Sequence, residues 1–209
     1  LSDQNAQQSD PWRQITKLDP AGGLAFVLAR VGNTTVVAIH PTTGKVQTMW
    51  LDRNTLDAVA AWADKQNRLG FNLYFAANEP VAGLSKKPTK QQIASIRCVF
   101  ADIDAKNGRS LPGALAAVLK LPQPDHIIFS GGGYQPLWVL QIPVAATPEN
   151  VNKAEAIGER IAKIADGDAV QNVDRILRLP FTVNYPNKTK EQAGRTPVLS
   201  GLVAMGEAA

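Results

Sequence analysis

The chain has 209 residues, 44% hydrophobic and 19% charged, which is enough to bury one substantial core without cross-links. A single cysteine, Cys98, rules out an intrachain disulfide and fits a reducing compartment, so the cytoplasm is the expected location. No apolar run approaches the length of a membrane span, and the net charge of +4 is compatible with a polyanionic partner without requiring one.

Residues 1–8 are polar and are expected to be disordered, and residues 9–209 read as one continuous domain with neither repeats nor low-complexity tracts. The stretch "GLAFVLARVGNTTVVAIHPTTGKVQTMW" predicts a β-meander broken at Gly32-Asn33 and Thr43-Gly44, because apolar runs rich in β-branched residues are bounded there by turn residues. A helix should follow, capped by Asn54, with Leu56, Val59, Ala60 and Ala63 on its apolar side and Gly70 as its stop.

"FNLYFAAN" alternates like a strand, "KPTKQQIAS" resembles a short helix behind Thr89, and "IRCVFADID" returns to strand. Ser110 can cap a helix over "LPGALAAVLK". "HIIFSGGGYQPLWVLQIPV" predicts two antiparallel strands around a glycine turn. Thr147 and Pro148 open a helix whose stripe is Ala154, Ile157, Ile161 and Ile164, and Gly167 ends it. Beyond Asp168 the chain is loop-rich, with short strands near Phe181–Tyr185 and Thr196–Leu199.

Chemistry concentrates in three places. In a strand, side chains two apart share a face at ~7 Å, so Asp102 and Asp104 project together at the end of the apolar series Ile96, Cys98, Phe100. Carboxylates held that close repel unless a cation lies between them, and oxygen ligands suit Mg²⁺ or Mn²⁺. With only His40 and His126 available, zinc is a poor fit. The competing structural reading is a capped strand end followed by an Asx-turn. Asp174 is the best third carboxylate, and its alternative is a salt bridge to Arg175 or Arg178.

The run "SGGGYQPLW" forms the second place. Three consecutive glycines let backbone amides approach an anion, and Ser130 adds a hydroxyl, although a plain hairpin turn fits equally. Neither the dinucleotide fingerprint nor the P-loop spacing is met. Tyr134 and Trp138 read as core aromatics or as stacking platforms. The third place is basic: Lys188, Lys190 and Arg195 follow Arg175 and Arg178, as either a solvated loop or a phosphate site.

Taken in order, "FADIDAKNG", "IIFSGGGYQPLW" and "VDRILRLPFTVNYPNKTK" resemble the three motifs of the archaeo-eukaryotic primase superfamily. The closer likeness is to its RepB-type branch of plasmid and phage primase-polymerases. The resemblance implies an α/β (α+β) fold, a primase-polymerase core with an RRM-like antiparallel sheet flanked by helices plus a smaller N-terminal α/β unit. It implies that Asp102, Asp104 and Asp174 are catalytic ligands of two Mg²⁺ or Mn²⁺ ions, and that Ser130, Gly131, Gly132, Gly133, Tyr134, Gln135, Arg178 and Lys188 bind the nucleotide. Asn184 is a further matching position. Two positions depart from the pattern: Gln135 stands where a histidine is usual, and Phe181 where glycine is common.

The implied activity is DNA-template-directed nucleotidyl transfer, as primase or primer-extending polymerase in plasmid or phage replication. A single-stranded DNA template and nucleoside triphosphates are the implied partners. A replicative helicase is a further candidate if the chain, which starts at Leu1, is part of a larger replication protein. Two alternatives stay open, an inactive primase-like module binding single strands or an origin, and a carboxylate-metal nuclease. An HUH-type nicking enzyme lacks its paired histidines here.

Overall fold

The computed structural model describes residues 17–106 and 108–204. The expectation for residues 1–8 lies outside them. Asp19 accepts the Gly22 N–H at 2.9 Å and Pro20 occupies the first turn, so the described chain opens with a helix, α1 (Pro20–Arg30). Leu24, Val27 and Val31 follow at helical spacing and are fully buried. This corrects the strand expected from Gly23: the cap and the proline lie just before the run, and they outweigh its β-branched content. Gly23 marks a close approach rather than a turn, because a Cβ there would press into the Pro180 backbone.

Two strands of the expected meander remain, β1 (Thr34–Ile39) and β2 (Val46–Leu51), paired antiparallel. The helix α2 (Leu56–Arg68) buries Val59 and Ala63 and ends before Gly70, whose φ is +86°. Its cap differs from the expectation. Thr55 is the N-cap, and Asp52 accepts the N–H groups of Asn54 and Thr55 at 2.9 Å each.

Next come β3 (Asn72–Ala76), β4 (Glu79–Pro80), β5 (Ile93–Phe100) and β6 (Ile103–Asp104). The helix expected behind Thr89 is a single 3-10 turn, Lys90–Gln92, because Gln92 turns back to accept the Thr89 N–H and β5 starts at the next residue. Ser110 caps α3 (Leu111–Val118) as expected. The hairpin β7 (His126–Phe129) and β8 (Gly133–Ala145) is antiparallel, and Thr147 caps α4 (Pro148–Ala165). The remainder holds β9 (Ile176–Arg178), β10 (Val183–Asn184), α5 (Lys188–Gln192), β11 (Val198–Leu199) and β12 (Gly201–Leu202).

The inward stripe of α4 matches the expected one only in part, for Ala154 and Ile161 pack against the core. Val151, Gly158, Ala162 and Ala165 are buried, while Ile157 and Ile164 are 51% and 62% exposed. Small residues let this helix lie close on its neighbours; a Cβ on Gly158 would stand 2.8 Å from the Gln171 Cβ. The larger side chains are turned outward as a result.

Every described strand pairing is antiparallel. One sheet has the order β2-β1-β3-β9 and the other β12-β7-β8-β5-β4, with β6 also against β8. The first sheet is therefore completed by a late strand, so the smaller α/β unit is not contiguous in the chain. Leu24, Val27, Leu73 and Phe75 of the first unit share one core with Cys98, Phe100, Ile128 and Leu137 of the second. On its other side the second sheet packs Ile103, Ile127, Phe129 and Tyr134 under α3. Among the described residues no helix is long and apolar enough to cross a membrane.

Candidate active site

Phe100 stands opposite Leu137 and Ile103 opposite Tyr134, so β5 and β6 keep one register against β8 through the break at Ala101-Asp102. The two-residue parity therefore survives, and Asp102 and Asp104 stay on one side as the sequence predicts. Asp102 is held from behind: its carbonyl accepts the Asp168 N–H at 2.8 Å, and Gly167 approaches so closely that a Cβ would lie 3.0 Å from that oxygen. Asp168 itself pairs with Lys106.

Burial, then the neighbouring Asp104 carboxylate, push the Asp102 carboxyl up to about 6. Arg175, the Gln135 amide and Arg178 pull against that shift. Its Oδ1 is buried without a hydrogen-bond partner, and Arg175 stands 3.9 Å from Oδ2. The protein thus keeps a desolvated carboxylate beside a second one with incomplete compensation, an arrangement that suits a cation.

Asp174 does not complete a triad. It lies half-buried in the turn before β9, pairs with neither Arg175 nor Arg178, and no group of three His, Cys, Asp or Glu side chains able to hold a metal ion occurs among the described residues. The side chain of this segment that faces Asp102 is a cation, Arg175.

Gln135 is buried and accepts the Arg178 N–H at 2.9 Å. The glutamine in the place of the usual histidine therefore joins β8 to β9. Arg178 is 5% exposed; its Nη2 donates to Asn184 Oδ1 at 2.7 Å and to the Tyr74 hydroxyl at 3.1 Å, and its guanidinium lies 4.3 Å from the Tyr74 ring centre. Nε and Nη1 have no partner. Burial pulls this guanidinium below its ordinary value, with Tyr74 and Asp102 acting the other way.

Tyr74, Arg178 and Asn184 border a cavity of about 460 Å³. Its inner wall includes Tyr74, Ala105, Gly131, Gly132, Arg178 and Asn184, and its outer wall runs from Tyr185 to Val198. Asn184 ties the glycine turn down by donating to the Ser130 carbonyl at 2.8 Å, while Gly131 takes a φ of +94°. Gly133 is buried against β6, where a Cβ would stand 2.6 Å from the Asp104 Cα.

Of the predicted nucleotide residues, Gly131, Gly132 and Arg178 line this cavity. Ser130 and Gln135 act behind it. Two expectations change. Tyr134 is fully buried against Phe129 on the α3 side of the sheet, because its strand parity is opposite to that of Gln135, so its ring is a core residue and not a stacking platform. Lys188 opens α5, exposed and outside the lining, whereas Lys190 and Arg195 belong to it. The signal for that pair was the basic cluster itself. Tyr74 and Arg175 carried no such signal, since their roles depend on strand pairings more than a hundred residues apart or on a turn.

No protein-family model matches the chain, and no curated protein does either. Among solved structures, the chain is similar to the primase-polymerase AEP domain of cyanophage S-2L, with 20% identity, a TM-score of 0.59, and coverage of 90% of this chain and 92% of that one. It is similar to primase RepB′ at 15% identity and TM-score 0.61, covering 91% of this chain and 58% of that one. It also resembles the catalytic domain of RepB′ in complex with initiator DNA, at 16% identity and TM-score 0.57, covering 87% and 84%. The antiparallel double-sheet fold of this chain is thus the fold shared by the phage primase-polymerase AEP domain and primase RepB′.

Proposed function

We propose that the chain is a DNA-template-directed nucleotidyltransferase, a primase or primer-extending polymerase. The observation that carries this reading is the desolvated Asp102 carboxylate beside that of Asp104, near a cavity whose charged lining, among the described residues, is cationic. Asp102 and Asp104 would hold a divalent cation, and the unpartnered Oδ1 and the raised proton affinity of Asp102 fit that role. When bound, Mg²⁺ or Mn²⁺ supplies Lewis-acid activation of an attacking hydroxyl and charge neutralisation on the leaving phosphates. Asp174 is the proposed further ligand, one that would have to swing toward the pair.

The chain's own groups do the rest. Arg178 offers two free donors to phosphate oxygens, and its own position is set by Gln135, Asn184 and Tyr74. Gly131 and Gly132 line the cavity, packed against Asn184 and Arg195, where their backbone would border the triphosphate. A structural neighbour is bound to initiator DNA, which supports a DNA template for this chain as well.

The test is incorporation of labelled nucleotide on a single-stranded template with Mg²⁺ or Mn²⁺, comparing the native chain with the Asp102→Asn, Asp104→Asn double variant. Metal-dependent incorporation lost in the variant supports the reading. Equal incorporation in both sinks it. One observation favours a second reading, a non-catalytic primase-like module that binds single-stranded DNA or an origin: three carboxylates are not gathered among the described residues. Template binding without any incorporation by the native chain would select that reading.

A further inference from the structure

Arg178, Lys190 and Arg195 all face the cavity, and none of the described residues lining it is acidic. A buried guanidinium with two unpartnered donors is costly, and an anion is the ligand that relieves the cost. The inner wall supplies only one of the three cations. The others belong to the outer wall, and their placement has a backbone cause.

The helix α5 ends in a Schellman motif. Gly194 takes a φ of +81° and donates to the Glu191 carbonyl at 2.8 Å, while Arg195 N–H returns to the Lys190 carbonyl at 3.0 Å. This turn aims Arg195 back across the cavity. Its Nη1 lies 2.7 Å from where a Cβ on Gly132 would stand, and its Nη2 donates to the Ala105 carbonyl at 3.4 Å. Ala105 follows directly on Asp104. The guanidinium therefore spans from the outer wall to the inner one through space that only a glycine leaves open.

The Ala105 contact is long, hence weak, and a phosphate oxygen could replace it at little cost. We infer that Arg195 is a substrate-binding residue that grips the phosphate chain of a nucleoside triphosphate from the outer wall, opposite Arg178. This rests on the nucleotidyl-transfer reading. A planar fork suits the role, because it can engage two phosphate oxygens together, which an ammonium cannot do.

The experiment titrates a fluorescent nucleoside triphosphate with Mg²⁺ into the native chain and into Arg195→Ala, Arg195→Lys and Gly194→Ala. Arg160→Ala, an exposed charge on α4, controls for net charge. Loss of a charge-assisted bidentate contact should weaken Arg195→Ala about 10-fold or more, with Arg195→Lys in between and Arg160→Ala unchanged. Gly194→Ala keeps every charge but strains the turn, so it should weaken binding as well. In incorporation assays Arg195→Ala should raise KM more than it lowers kcat. An Arg195→Ala affinity within about twofold of a native chain that binds overturns this inference and leaves the broader reading standing. A native chain that binds no triphosphate overturns both.

Discussion

Arg178, on the inner wall of the cavity, is 5% exposed and tied through hydrogen bonds to β8, β3 and β10, whereas Arg195, on the outer wall, is exposed and held chiefly by the turn that carries it. The inner cation is part of the core's polar bookkeeping. The outer one follows a short helix with no buried residue of its own. A rigid floor suits chemistry that needs fixed atoms, and a lightly anchored rim suits a group that must admit substrate and then release it. Substitutions on the two walls should therefore separate: inner ones should cost stability, outer ones should change affinity alone.

The largest effect is expected at Tyr134. Replacing its fully buried ring with alanine should destabilise the chain by about 3–5 kcal/mol, read from chemical denaturation. Denaturation resistance close to native would show that the inner wall does not depend on the packing beneath it.

Asp102 comes next, with the opposite sign. Its folded carboxyl binds its proton more tightly than the unfolded one, so metal-free stability should fall as pH rises from about 4 to about 6 and stay low above that. The gap between 3.8 and about 6 corresponds to ~3 kcal/mol, so Asp102→Asn should stabilise the chelator-treated chain at neutral pH by up to that order while it stops incorporation. Added Mg²⁺ or Mn²⁺ should raise the melting temperature of the native chain and not of this variant. A flat pH profile from 4 to 8 would contradict the arrangement.

Gln135→Ala is expected to cost about 1–3 kcal/mol, because it leaves the buried Arg178 N–H without its acceptor. It should also raise the Asp102 carboxyl further, since the Gln135 amide favours the charged form, and an NMR titration would read that directly. The smallest effect belongs to the outer wall. Lys188→Ala and Lys190→Ala should each change stability by less than about 0.5 kcal/mol, with only Lys190→Ala weakening triphosphate binding. Equal weakening in both would restore the sequence expectation for Lys188.

That last pair shows where the sequence is legible and where it is not. The shared side of Asp102 and Asp104, the glycine hairpin and the caps of α3 and α4 follow from local patterns, since parity, turn residues and caps are properties of neighbours in the chain. The first helix was hidden because its apolar, β-rich run reads as strand, while the Asp19 cap and Pro20 that start the helix lie just ahead of it. The inward stripe of α4 was displaced in part for another reason: close packing on its neighbours selects glycine and alanine over isoleucine. Tyr134 belongs to the right motif but points to the other face, and Gln135 reveals its purpose only once β9 lies beside β3. Such relations are between segments, and a single sequence carries no trace of them except charge clusters like Lys190 and Arg195.

The pairing of Tyr74 in β3 with Arg178 in β9 joins residues 104 positions apart. During synthesis, β3 must emerge with one edge open and wait for most of the chain before its partner arrives. Closing so long a loop carries a slow entropic cost, and an uncovered edge strand is a template for association with other chains. The nascent chain should therefore be most prone to aggregation just before β9 appears, and the cavity lined by Tyr74 and Arg178 should be among the last features to form.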